Sequence, residues 1–169
     1  MTAKRQRART AQRVRSAAAR TDHLVPATGL VDDLVRSVSG ERGRPIHVVE
    51  EDLGPNEPSG LWVAGEGVDL IVIPTSIGSS QRTAIICHEL AHILLGHVPI
   101  GADSDLDGLV DLVAPHVDAA VAKQMLGRFS YADDLEAEAE AFGTILVTKL
   151  ADRTRRLRLK GDSVSDRLR

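Results

Sequence analysis

The sequence predicts an α+β fold in which a small three-stranded sheet packs against a buried helix and further helices. Three observations carry this: three short runs rich in β-branched residues and bounded by Gly or Pro, an apolar helical stretch after them, and amphipathic helical stripes on either side. The first stripe runs from Gly29 to Val38, with apolar residues at 30, 31, 34, 35 and 38, and Gly40 and Gly43 are there to stop it. The strands follow as Ile46 to Val49, Leu61 to Ala64 and Val68 to Ile73, and Gly65-Glu66-Gly67 reads as a hairpin turn. Pro74 to Ser80 is a loop of turn residues. From Gln81 the pattern is helical and almost uniformly apolar through Leu95, with Gly96 to end it, so this helix belongs in the core. Residues 98 to 132 hold a further helical region broken by Pro115 and closed by Gly127, and Asp133 or Asp134 caps a last helix that reaches beyond Leu150.

A chain of 169 residues suffices for one domain with a core, built here from Val, Ile, Leu and Ala because only two Phe, one Trp and one Tyr are present. The net charge of −3 hides an asymmetry, since residues 1–20 carry Lys4, Arg5, Arg7, Arg9, Arg13, Arg15 and Arg20 and no acid. The expected organisation is a flexible basic arm over residues 1–22, one domain over 23–152 and a charged tail over 153–169. The arm has no aromatic for base stacking, which argues against direct nucleic-acid binding. The single cysteine, Cys87, the lack of a secretory-signal pattern, and apolar runs far shorter than the roughly 20 residues that span a bilayer point to a soluble cytoplasmic protein without a membrane partner.

Within the buried helix stands His88-Glu89-Leu90-Ala91-His92. Histidines four apart lie one turn above each other on one helix face, so two imidazoles can converge on one ion. Catalytic Zn²⁺ takes three protein ligands and leaves a position for water, whose proton the adjacent Glu89 is placed to accept. The flanking Ile85, Ile86, Leu90, Ile93, Leu94 and Leu95 leave little water around the helix, so uncompensated polar groups there would cost on the order of 1–3 kcal/mol each.

The run from His88 to His97, with Gly60-Leu61-Trp62 before it and Glu136-Ala137-Glu138-Ala139-Glu140-Ala141-Phe142 after it, resembles the ImmA/IrrE family of metallopeptidases over roughly residues 30 to 150. The resemblance implies a zincin-like fold and an intracellular protease directed at a helix-turn-helix transcriptional repressor. Two departures stand out: many members have a shorter connection than residues 93–135, and Glu140 stands where the family usually has Asn.

The third ligand must come from Glu136, Glu138 or Glu140 on the last helix. At about 100° per residue, Leu135, Ala139, Phe142, Ile145 and Leu146 form one apolar stripe, and Glu138 falls inside it. A lone carboxylate facing a core requires a cation, and the family pattern, with the glutamate immediately before Ala and four residues before Phe, points to the same residue. The expected metal set is therefore His88, His92 and Glu138, with Glu89 as general base and Asp134 as a candidate to orient a ligand histidine.

Weaker signals surround this motif. His97 lacks the spacing of a metzincin ligand and reads as a packing or helix-end histidine projecting away from the ligand face. Asp103, Asp105, Asp107 and Gly108 open a Ca²⁺-loop pattern, but Ala114 occupies the position of the closing glutamate, leaving an acidic, capping loop. Tyr131 and Arg128 are candidates to stabilise an oxyanion, although packing is favoured for both, and His47 and His116 are not ranked against them. Cys87 reads as a small buried thiol. The leading functional expectation is a zinc endopeptidase acting on a protein. A second keeps the fold and metal but acts by partner binding without proteolysis; a third gives the basic arm a nucleic-acid role.

Overall fold

The computed structural model describes residues 3–52, 59–64, 67–98 and 131–165. The acidic loop at Asp103 to Gly108, Pro115, His116, Gly127 and Arg128, and the first two residues of the Gly65-Glu66-Gly67 turn, lie outside the described residues. Among the described residues the chain is α+β, with four α-helices and one three-stranded mixed sheet. In chain order these are α1 (Ala3–Arg20), a 3-10 turn (Asp22–Leu24), α2 (Val31–Arg42), β1 (Ile46–Glu51), β2 (Leu61–Ala64), β3 (Asp69–Pro74), α3 (Ser79–Leu95) and α4 (Asp133–Ser165). None of the described helices is long and apolar enough to cross a membrane.

The strands fall on the three runs read from the sequence, but their order is β1-β3-β2, so β3 is central and β2 lies at an edge. β3 pairs parallel with β1 and antiparallel with β2, with Trp62 opposite Ile71 and Leu61 opposite Val72. Trp62, Ile71 and Ile73 join the core cluster formed with the helices, while Val63, Leu70 and Val72 on the alternate positions are buried as well. Burial on both faces is why β3 reads as a continuous apolar run instead of an alternating one. At its start the fully buried Asp69 is met by Arg42, 2.9 Å away at the end of α2, and by Arg44 at 3.2 Å.

α3 packs against β2 and β3 on one side and α4 on the other, and α1 packs along α4. Gly40 does not end α2; that helix continues to Arg42 and stops at Gly43, which adopts the left-handed conformation that an L-residue resists. The basic N-terminal segment is not a free arm, because α1 buries Val14 and Ala17 in the core and Lys149 of α4 reaches the Ala18 carbonyl at 3.0 Å. Val14, Ala17 and the half-buried Ala18 lie three to four residues apart and form a narrow apolar stripe, which a count of arginines overlooks. The C-terminal segment likewise starts inside the fold, as α4 is continuous to Ser165 and Thr154 lies against Gly29.

Candidate metal centre

α3 carries His88 and His92 one turn apart, and their Nε2 atoms stand 3.1 Å from each other. The third donor comes from α4: Glu136 Oε2 lies 3.3 Å from His88 Nε2 and 3.7 Å from His92 Nε2. These three residues form the one group of potential ligands found among the described residues. A tetrahedral Zn²⁺ with bonds of about 2.0–2.2 Å has donor-to-donor edges of about 3.3–3.6 Å, so separations of 3.1, 3.3 and 3.7 Å fit that ion closely. Two neutral imidazoles and one carboxylate are also a donor set that Zn²⁺ takes. Burial, and then the neighbouring His88 and His97, push the His92 pKa down to about 3, which keeps the imidazole neutral and able to donate a lone pair.

Glu138, the residue expected to complete this set, is elsewhere. It is buried, as its place on the apolar stripe required, but its Oε2 pairs with Arg13 Nη1 at 3.0 Å and His97 Nε2 at 3.3 Å. Among the described residues the cation that meets it is an arginine of α1. The reason lies in how α3 and α4 cross. Gly143 sits so close to α3 that a Cβ there would stand 3.1 Å from His88 Cα, so the centre of the contact is backbone against backbone. The imidazoles consequently project at the rim of the contact, and the α4 flank that borders this rim carries Glu136 and Glu140, one turn apart. Glu140 Oε2 lies 3.6 Å from His88 Nδ1 but is mostly exposed.

Glu89 lies against β2. It is 4% exposed, it accepts a hydrogen bond from the Trp62 backbone, and a Cβ at Gly60 would come within 3.1 Å of its Oε1. Burial, with a further contribution from the Glu136 charge, pushes its pKa up to about 8 despite that hydrogen bond. Tyr131 stacks on His92, with ring centroids 3.7 Å apart and planes inclined by 24°. Its hydroxyl is buried with no hydrogen-bond partner among the described residues, burial raises its pKa, and its ring packs on the His92 imidazole. Asp134 is exposed and bonds the Leu135 amide, His47 is exposed on β1, and Cys87 is a buried free thiol whose pKa burial pushes up to about 12.

His97 does not project away. Gly96, at φ +69°, turns the chain sharply after α3, and the His97 amide bonds back to the His92 carbonyl at 3.0 Å. The turn brings His97 Nδ1 to 3.0 Å from His92 Nδ1, on the side of the ring opposite Glu136. Sequence reasoning weighed Glu136 but favoured Glu138, and it missed Gly143, Arg13 and the place of His97. A glycine inside a helical pattern was a readable sign of close packing at 143, whereas no local signal tied Arg13 to residue 138. Comparisons of the chain with protein-family models, curated proteins and solved structures yield no match.

Proposed function

We propose that the chain is a cytoplasmic zinc endopeptidase of protein substrates, with His88, His92 and Glu136 as the metal-holding residues and Glu89 as the general base. The observation that carries the reading is Glu89: a buried carboxylate with no cation beside it among the described residues, next in sequence to a histidine whose donor nitrogen is within 3.1–3.3 Å of two others. Zn²⁺ held by these donors would supply a Lewis acid for a carbonyl oxygen and lower the pKa of a water. Glu89 takes the proton of the attacking water and returns it to the leaving amine. His92, stacked by Tyr131, keeps its donor nitrogen aimed at the cluster. A peptide substrate is favoured by the position of β2, an edge strand that touches Glu89 and onto which an extended chain can add by backbone hydrogen bonds. The family resemblance suggests a helix-turn-helix repressor as that substrate.

The test is to strip the purified chain with a chelator, restore Zn²⁺, and incubate it with a proteome-derived peptide library and with any helix-turn-helix protein encoded beside it. Mass spectrometry should find new termini that appear only with Zn²⁺ and vanish in Glu89→Gln protein that still binds the ion. Cleavage that survives chelation, or that Glu89→Gln leaves intact, overturns the proposal.

A further inference from the structure

Behind His92, away from His88 and Glu136, four side chains from three helices and the turn after α3 form one continuous line. Arg13 Nη1 meets Glu138 Oε2 at 3.0 Å, the same oxygen meets His97 Nε2 at 3.3 Å, and His97 Nδ1 meets His92 Nδ1 at 3.0 Å. Three of the four are nearly inaccessible: His92 at 0%, His97 at 3% and Glu138 at 5%, while Arg13 reaches in from the exposed side of α1. From this geometry we infer that Arg13, Glu138 and His97 are positioning residues, a relay that fixes His92 in the tautomer whose Nε2 is free to bind metal. The inference rests on the proposed metal centre for its purpose, not for its geometry.

The direction of each bond follows from what each atom can do. A carboxylate paired with a guanidinium only accepts, so the His97 nitrogen facing Glu138 must carry the proton and donate it. A neutral imidazole has one N–H, which leaves His97 Nδ1 bare and able only to accept. The one hydrogen 3.0 Å away that it can accept is on His92 Nδ1, so His92 holds its proton there and turns a lone pair at Nε2 toward His88 and Glu136. The reverse polarity would set a bare His97 nitrogen against a carboxylate, two lone pairs facing each other in a buried space. Glu138 therefore selects the tautomer two residues removed from it along the hydrogen-bonded line, and Arg13 holds Glu138 in place. The relay also ties α1 to the centre, since among the described residues the cation paired with Glu138 comes from that helix.

Long-range ¹H–¹⁵N correlation spectra of the metal-free, full-length protein at neutral pH test this without any catalytic assay. His92 should show a protonated Nδ1 and an unprotonated Nε2. Glu138→Ala should move His92 to a mixture of tautomers and weaken Zn²⁺ binding by about 10–100-fold, the range for loss of an outer partner of a ligand histidine. Glu138→Gln, whose amide oxygen still accepts from His97, should restore most of both. Arg13 is half exposed and so is safe to truncate: Arg13→Ala should act in the same direction more weakly, and Arg13→Lys should recover. The Co²⁺ spectrum of the substituted protein should shift in Glu138→Ala and return in Glu138→Gln. A His92 protonated on Nε2 in the wild type, or one unchanged in folded Glu138→Ala and Arg13→Ala proteins, overturns the relay whatever the protein does with zinc. The expected tautomers in a protein that binds no Zn²⁺ would instead uphold the relay and remove the metal centre it was thought to serve.

Discussion

Asp69 and Glu89 are both buried carboxylates, and the fold treats them in opposite ways. Asp69, at the start of β3, is completely inaccessible and is answered by Arg42 and Arg44, whose own ends reach the surface. Glu89, on α3, is 4% exposed and receives one backbone hydrogen bond and no cation among the described residues. A paired buried acid is anchored and chemically quiet, since an opposite charge answers its own. An unpaired one is held at a cost that desolvation sets, which is tolerable where the proton itself is used. Glu138 belongs with Asp69, and the contrast separates structural acids from the reactive one better than burial alone.

Exchange of the two neutral isosteres is the most direct way to break this contrast. Glu89→Gln should lower peptide cleavage by about 10²–10⁴-fold, the usual contribution of a general base, with no loss of thermal stability or zinc stoichiometry. Asp69→Asn should do the reverse, lowering stability by about 1–3 kcal/mol in denaturant titrations while zinc binding persists. If Glu89→Gln unfolds the protein more readily than Asp69→Asn, the distinction between the two acids is mistaken. Next in size is the ligand carboxylate: Glu136→Ala should cost more than the roughly 100-fold upper limit expected for an outer partner, measured by competition with a chromophoric chelator. Equal losses in Glu136→Ala and Glu138→Ala would erase the difference drawn between these two glutamates.

Two smaller effects sharpen the picture. Gly143→Ala places a methyl 3.1–3.3 Å from the His88 and Cys87 backbone, so α4 must give way by a few tenths of an ångström. We expect a stability loss of about 1–3 kcal/mol together with weaker zinc binding, because the same shift carries Glu136 off the histidines. Gly40→Ala, with nothing within 4 Å of the added methyl, is the control: it should leave zinc binding unchanged and raise stability by about 0.5–1 kcal/mol, as expected for a helical glycine replaced by alanine. Finally, Cys87 should resist thiol reagents at pH 8 in the folded protein and react on unfolding, its thiol being buried and its pKa pushed up to about 12.

Local patterning alone determined a good deal here. The three strands, the apolar helix ending at Gly96, the last helix starting at Asp133 and the burial of Glu138 all follow from periodicity and end signals, which depend on residues within a turn or two of each other. So does the pairing of His88 with His92, since one helix carries both. What the sequence could not supply was the counter-charge for each buried group. Glu138 was rightly placed on the core-facing stripe, yet its cation came from Arg13, more than a hundred residues away, in a segment whose composition suggested a solvated arm. Strand order, the docking of α1 and the approach of Glu136 to the histidines all rest on how elements cross, and the α3–α4 crossing turns on a missing side chain at Gly143. A helix presents several faces and a local pattern says only which is apolar; which polar flank borders the histidines is decided when two helices pack, because the angle and closeness of that contact belong to neither helix alone.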